Sequence, residues 1–297
     1  MSHTLGIVAA LIAFLGWGFG DFMIQRSIRK IGTLETLFVI CASGGIILLP
    51  FVWSDLPYLF SHGHAMRLLT LTTLTGLFSA MLNFEAYKQG KLAVIEPVMS
   101  FELVITALFG IFLIGEQIRL VQLLLMAAVF VGILLTMLTV YEKRWWHLGS
   151  YRKKIEKGVL LALVGAVIMS GYNVYTGLAS QATNPLIAIW YTHFGIGLIL
   201  FVWFVFRRKV AVVVRTSISA WRMVGLASVL DNVAWLGFAT AVLVLPISVT
   251  IGITESYVAL AAVLGMILNR ERLRKHQYVG MSLAIISGII LAIISSR

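Results

Sequence analysis

The sequence predicts an all-α integral membrane protein, ten transmembrane helices arranged as two five-helix inverted-topology repeats. Three observations carry this: a composition too apolar for water, ten apolar runs whose polar gaps alternate in basic charge, and a motif that returns 155 residues later. Of the 297 residues, 60% are hydrophobic and 12% charged, with a mean hydropathy of +0.98. A soluble domain carries roughly 25% charged residues, so this chain has too few to cover a surface facing water.

A helix needs about 20 mostly apolar residues to cross the hydrocarbon core. With polar clusters as boundaries, the runs are 4–24, 33–53, 65–86, 91–114, 119–140, 158–180, 185–206, 221–244, 248–268 and 276–295. Span one follows Met1 without a basic segment ahead or a small-residue cleavage site after it, so it reads as a retained helix. Span two holds Cys41, the single cysteine; it excludes an internal disulfide and reads as a small packing residue. Span three ends in Glu85 and Lys88, spaced for an ion pair on one helix face. Span four carries Glu96, Pro97 and Glu102, and the polar turn "FLIGEQIRLVQ" (112–122) leads into span five. In the second half, span six contains "SGYNVYTG", span seven His193, span eight Asp231 and Asn232, and span nine Glu255. The turn "ILNRERLRKHQ" (267–277) leads into span ten.

The net charge of +11 does not point to nucleic acid, because of where the charge sits. Twenty of the 23 Lys and Arg fall in the gaps after odd-numbered spans; Arg67, Arg119 and Arg297 are the rest. That bias is the positive-inside pattern. It places the odd gaps in the cytoplasm and both termini outside, in a cytoplasmic (inner) membrane. The lipid bilayer is then the first partner of the chain, with the basic residues touching its headgroups.

The two turns align as Leu113/Leu268, Glu116/Glu271, Arg119/Arg274 and Gln122/Gln277. The same offset pairs Gly16 with Gly171, Arg67 with Arg222, Ala86 with Ala241, Ala107 with Ala262 and Gly110 with Gly265. Spans one to five thus land on spans six to ten. Because five is odd, the second half enters the membrane inverted. The expected organisation is residues 1–142 as the first repeat, 143–157 as a basic cytoplasmic connecting loop, and 158–297 as the second repeat. Repeat-built secondary transporters place their solute site near the midplane between the halves.

The Gly/Trp-rich first helix "FLGWGFGDF" (14–22) and the Pro-containing fourth, "AVIEPVMSFELVITALFGIFLIGE" (93–116), carry a resemblance over nearly the whole chain. With two five-helix halves, it resembles the EamA-type members of the drug/metabolite transporter superfamily. The second half departs from the pattern: Gly252 stands where Pro97 does, and "SGYNVYTG" replaces the Trp-Gly stretch. The resemblance implies export of small metabolites such as amino acids.

Seven acidic residues fall inside the spans: Glu35 at the inner end of span two, and Asp21, Glu85, Glu96, Glu102, Asp231 and Glu255 farther from the ends. Each costs about 2.5–3.5 kcal/mol at mid-bilayer on insertion scales, so an acid there is a functional candidate. At about 1.5 Å per residue, Glu102, Asp231 and Glu255 sit near the middle, and His193 joins them. None of the three acids has a basic partner at helical spacing. Asp21 lies near Arg26 and Glu96 near the cytoplasmic side, each either interfacial or part of the path. Asn173 with Tyr172 and Tyr175, Asn232, and Asn83 with Tyr87 offer hydrogen bonds. Trp17 and Trp235 offer faces for a cation or for packing. Gly16 and Gly20 read as points of close helix approach, and Met99, Met126 and Met169 as core. Glu116 and Glu271, with Arg119 and Arg274, read as residues that satisfy helix ends.

The expected substrate-binding set is therefore Glu102, Asp231, Glu255, His193, Asn232, Asn173, Glu96, Trp17 and Tyr175. Its charge favours a cation, a proton or the amino group of a zwitterion. The function this predicts is secondary transport by alternating access, as proton-coupled export or exchange, by a monomer or homodimer without cofactor or resident metal. No Walker motif for ATP is present. A divalent cation such as Mg²⁺ is the alternative cargo, since clustered carboxylates suit it. A lipid-modifying enzyme is disfavoured: His193 is the one histidine well inside a span, and the His62–His64 pair reads as a solvated loop.

Overall fold

Lipid offers no hydrogen bonds to a bare backbone, so apolar runs of this length must satisfy their own N–H and C=O groups as helices. The computed structural model describes residues 2–90, 92–137, 149–260 and 274–295, and no strand occurs among them. The helices are α1 (His3–Ile31), α2 (Thr33–Val52), α3 (Leu56–Ser61), α4 (Gly63–Gln89), α5 (Leu92–Met99), α6 (Phe101–Phe109), α7 (Leu120–Met137), α8 (Gly149–Ala182), α9 (Pro185–Phe206), α10 (Val210–Ser219), α11 (Trp221–Ala241), α12 (Ile247–Thr254) and α13 (Lys275–Ser295). A π-helical turn, Gly110–Ile114, continues α6.

Among the described residues, eight helices are long and apolar enough to cross a membrane; Leu120–Thr136 and Ile247–Leu260 are shorter apolar helices where spans five and nine were expected. Two elements depart from the expected layout. The segment expected as a loop, 143–157, is helical from Gly149 onward as the start of α8; its earlier residues lie outside the described ones, as does Glu271. The gap after span seven contains a further helix, α10, whose Val212, Val214 and Ile218 are exposed beside Arg215. Its apolar residues are too few to mark a span, so hydropathy alone passes over it.

Large apolar side chains such as Ile46, Phe51, Leu124, Leu160 and Val279 face outward. A contiguous surface of that kind is tolerated by hydrocarbon and not by water. The packing inside obeys the repeat. α1 lies along α11, α4 along α8, α2 along α9 and α7 along α13. The offset of 155 exchanges α1 with α8 and α4 with α11, so the first two pairs are copies of each other and the last two map onto themselves. This is the contact pattern of a two-fold axis in the membrane plane.

The repeated glutamines show the same symmetry in atoms. Gln122 Oε1 accepts from the Arg119 N–H (3.0 Å) and Gln277 Oε1 from the Arg274 N–H (2.9 Å), each closing the start of its helix. Gln122 Nε2 donates to Ser295 Oγ (3.0 Å) at the end of α13, and Gln277 Nε2 to the Thr136 carbonyl (2.9 Å) near the end of α7. Each glutamine thus ties the start of one helix to the end of its antiparallel mate.

Span four breaks at Ser100, where α5 gives way to α6, and span nine breaks at Glu255, where α12 ends. These positions are 155 apart. Ser100 N donates to Glu96 O (2.9 Å) and Glu255 N to Ile251 O (2.8 Å); Leu103 N donates to Ser100 O (3.1 Å) and Val258 N to Glu255 O (3.3 Å). Bond for bond, the interruptions match, although Pro97 has Gly252 as its counterpart.

α7 and α13 meet backbone to backbone. A Cβ on Gly132 would sit 2.6 Å from Ala284 N, and one on Gly280 would sit 2.5 Å from Thr136 N. Nothing lies within 4 Å of the corresponding position at Gly225. Gly132→Ala is therefore expected to destabilise by about 1–3 kcal/mol, the usual cost of overpacking, despite alanine's better helix propensity. Gly225→Ala is expected to be neutral or slightly stabilising. Thermal unfolding of both variants in detergent checks the contrast.

Candidate functional site

The helix ends divide the bundle. Arg29, Lys30, Lys88, Arg207, Arg208, Lys209, Arg222 and Lys275 mark one, the basic end. Arg67 and Arg119 lie at the other, the far end. A cavity of about 820 Å³, its solvent-facing part included, lies between mid-bundle and the basic end. Its deepest lining residues, Trp17, Gly76, Tyr172 and Trp235, stand roughly halfway along their helices. Beyond them the far half is filled by an apolar cluster that includes Ala9, Ala13, Phe238, Ala241, Val242, Leu245 and Ile247.

The two helix breaks supply the first acid pair. Glu102 stands in the first turn of α6 and Glu255 at the end of α12. Both line the cavity, and their side chains lie within hydrogen-bonding reach of each other. Ser170 of α8 donates to the Glu102 carbonyl (3.2 Å), fixing the start of α6 against the second repeat.

Asp231 of α11 and His193 of α9 line the same cavity. Asn232 Nδ2 donates to the carbonyls of Ile40 (3.1 Å) and Ser228 (2.8 Å), so its Oδ1 is the acceptor for His193 Nδ1 at 2.7 Å. That arrangement puts the imidazole hydrogen on Nδ1. A Cβ on Gly44 would strike Asn232 Oδ1 and His193 Nδ1, which is why α2 carries no side chain there. Ser43 and Ser228 hydroxyls complete the junction with a hydrogen bond.

Toward the basic end, Asp21 lines the cavity beside Tyr87 and Tyr257. Tyr87 donates to Glu96 Oε1 (2.8 Å) and, more weakly, to Asp21 Oδ2 (3.4 Å), while Tyr257 donates to Glu96 Oε2 (3.3 Å). The aromatic lining is continuous: Trp17 meets Trp235 edge-on at 4.9 Å and Tyr257 at 6.2 Å, and Tyr172 meets Trp235 at 4.5 Å. Asp21, Glu102, Asp231 and Glu255 thus face one aromatic-walled space that no described Lys or Arg lines.

Of the expected set, Glu102, Asp231, Glu255, His193 and Trp17 line the cavity. Asn232 stands behind His193, and Glu96 is 3% exposed behind the two tyrosines. Asn173 is buried and donates to Thr106 Oγ1 (3.3 Å). Tyr175 does not line the cavity; it lies a turn beyond Tyr172 toward the filled far half. Cys41, Met99 and Met169, read as packing, do line it.

Asp21 joins the cavity because Arg26 does not hold it at the interface; the guanidinium stacks on Phe22 at 4.2 Å instead. Asn83 lines the cavity with both amide atoms buried and unpartnered. Tyr87 was expected as a hydrogen-bonding residue; Tyr257 was missed, and the signal that could have found it is the repeat, which maps Glu102 onto it. Outside the cavity, Glu85 and Lys88 form the expected i, i+3 ion pair at 3.8 Å, supported by Thr33 Oγ1 (3.0 Å) and Gln89 Nε2 (2.6 Å) on the carboxylate.

The model of the EamA-like transporter family matches residues 4–138 and again 156–294. A solved structure described only as a crystal structure of a protein superposes with a TM-score of 0.71 at 13% identity. It covers 98% of this chain and 97% of its own; at that identity the likeness concerns the fold. No curated protein matches.

Glu96 gives a test that separates bonding from transport. Glu96→Ala leaves the Tyr257 hydroxyl without its Glu96 acceptor and Tyr87 with only its weaker bond to Asp21, at about 1–3 kcal/mol for a buried hydroxyl left unsatisfied. Glu96→Gln keeps one carbonyl oxygen and is expected to unfold at a temperature between that of Glu96→Ala and the parent, measured in detergent.

Proposed function

The chain belongs to the EamA-like transporter family, and from that premise we propose that it exports a small organic cation across the cytoplasmic membrane in exchange for protons. The observation that supports this best is the cavity itself: four carboxyl groups, six aromatic side chains and no lysine or arginine among the described lining residues. A carboxylate supplies the counter-charge for an ammonium group, and aromatic faces attract a cation whose hydration is weak. A zwitterion of the amino-acid type needs in addition a partner for its own carboxylate. The neutral lining offers hydrogen-bond donors for that purpose, such as the unpartnered Asn83 amide, but no positive charge.

Coupling follows from charge balance. Two carboxyl groups facing one cavity repel each other when both are charged and so favour a shared proton, and a cation entering between them takes its place. Releasing the proton to one side and the cation to the other exchanges one positive charge for another. With protons more concentrated outside, the exchange drives the cation out. The basic end is then cytoplasmic and both termini are outside, and the cavity between mid-bundle and the basic end corresponds to an inward-facing state.

Divalent cations such as Mg²⁺ are the second cargo that carboxylates suit. Among the described residues, no three His, Cys, Asp or Glu side chains gather as a metal site, which favours the organic cation.

In proteoliposomes under an imposed pH gradient, Glu102→Gln, Asp231→Asn and Glu255→Gln are each expected to slow efflux of aromatic or alkylated ammonium probes by about tenfold or more, the equivalent of roughly 1.4 kcal/mol. The combined Glu102→Gln/Glu255→Gln variant is expected to lose the response to the gradient. Unchanged rates and an unchanged pH response in a variant lacking all three acids would sink the reading. Strong competition by millimolar Mg²⁺ would replace the organic cation by a metal.

A further inference from the structure

We propose that Glu116 is the latch that holds the cavity shut at the far end, and that its release from α12 opens that side. The proposal rests on the alternating-access reading above and adds to it a specific positioning residue outside the cavity.

Glu116 belongs to the first repeat. It follows the π turn at the end of α6, and Gly115, at φ +80°, provides the left-handed backbone that turns it back toward the bundle. Its backbone N–H donates to the Gly110 carbonyl (2.9 Å), whereas all three described hydrogen bonds of its side chain come from the second repeat. Oε1 accepts from Ile247 N (2.6 Å), and Oε2 accepts from Ser248 N (3.0 Å) and Ser248 Oγ (2.5 Å).

The first N–H groups of a helix have no partner within it, and Pro246 at the cap supplies no side-chain acceptor. The Glu116 carboxylate takes that place, and its charge suits the positive end of the helix dipole. The contact is close: a Cβ on Gly110 would overlap both the Ser248 hydroxyl and the Glu116 carboxylate. Ser248 Oγ also lies 3.4 Å from the Ala107 carbonyl of α6.

The half-helices joined by this clasp are the ones that carry the cavity acids. The N-terminal turn of α6 carries Glu102, and α12 ends at Glu255; the clasp joins their opposite ends. α6 and α12 therefore meet at two levels, at mid-bundle through the acid pair and at the far end through Glu116. The cavity reaches only from mid-bundle toward the basic end, while the far half is filled. Opening the far side requires the outer ends of α6 and α12 to part. That motion breaks three hydrogen bonds to a carboxylate and leaves the start of α12 unsatisfied. Glu116 is partly exposed, so water can reach it when the contact loosens.

Cys41 provides the reporter, being the single cysteine of the chain and a cavity-lining residue. In proteoliposomes of known orientation, a membrane-impermeant methanethiosulfonate is added to one face at a time. In the parent protein, Cys41 is expected to react faster from the basic face. Glu116→Ala is expected to raise the rate from the far face about tenfold, the population shift that follows from losing a hydrogen bond to a charged group. Ser248→Ala removes one donor and keeps the backbone bonds, so a smaller increase is expected, and it serves where Glu116→Ala does not fold. Unchanged sidedness in both folded variants, accompanied by a lower Tm, would make Glu116 a static cap and overturn the latch. Equal reaction of the parent protein from both faces would instead overturn the alternating-access reading.

Discussion

A helix interrupted inside a bilayer frees backbone donors and acceptors that hydrocarbon cannot satisfy, and this chain interrupts two. The rest of the structure follows from how those interruptions are covered. At Ser100 and at Glu255 the chain tightens by bonds to residues three and four back, and each freed end is buried against protein. Serine side chains help: Ser100 Oγ donates to the Pro97 carbonyl (3.0 Å) and Ser256 Oγ to Ile253 (2.6 Å). Broken helices are tolerated where they line a cavity, and here they bring Glu102 and Glu255 to one point from opposite repeats.

That placement also explains how several acids coexist in a membrane. A lone carboxylate in hydrocarbon is expensive, but none of these stands alone. Glu102 and Glu255 line the same cavity from opposite repeats, Glu96 takes two tyrosine hydroxyls, and Asp21 shares one of those tyrosines. Asp231 lies on the wall with His193, whose orientation Asn232 fixes. The polar groups therefore form linked clusters around one space, and each cluster draws members from different helices. Losing one member leaves others buried without partners, which makes these clusters structural as well as functional.

The parts of the fold that were legible in the sequence are those governed by local physics. Hydrophobic length gave the starts of nine of the ten spans to within two residues, while α1 runs seven residues past its expected end and the end of span nine lies outside the described residues. The Glu85–Lys88 pair was legible because helical spacing is local. The role of Glu116 was half legible: a polar turn between apolar runs reads as a helix-end device, and it is one. The helix it serves, α12, lies 131 residues away in the other repeat, which no local pattern encodes. Asp21 was drawn toward Arg26 by proximity along the chain, whereas packing gave Arg26 to Phe22. Tyr87 was legible as a hydrogen-bonding residue, but no local pattern shows that it shares Glu96 with Tyr257 from the other repeat. The repeat supplied the one long-range clue, pairing the two breaks and placing Tyr257 opposite Glu102.

The two breaks, matched bond for bond, have different causes. Pro97 has no N–H for the carbonyl four residues back, so the half-helix leading into the first interruption lacks a bond that the covalent chain itself rules out. Gly252 keeps its N–H, and its missing side chain lets α12 approach Met126 of α7 and Leu291 of α13, where a Cβ would meet side-chain atoms at 2.8 and 2.9 Å. The second interruption is thus held by contacts: the α7–α13 pair on one flank, the serine bonds at the turn, and the Glu116 carboxylate at the helix start. A break set by proline persists in any state of the molecule, whereas a break set by contacts lasts only as long as they do. An inverted repeat with identical halves would give both faces the same tendency to open. Here the halves have diverged at the joint, and the closed face is the one where the conditional joint is clamped.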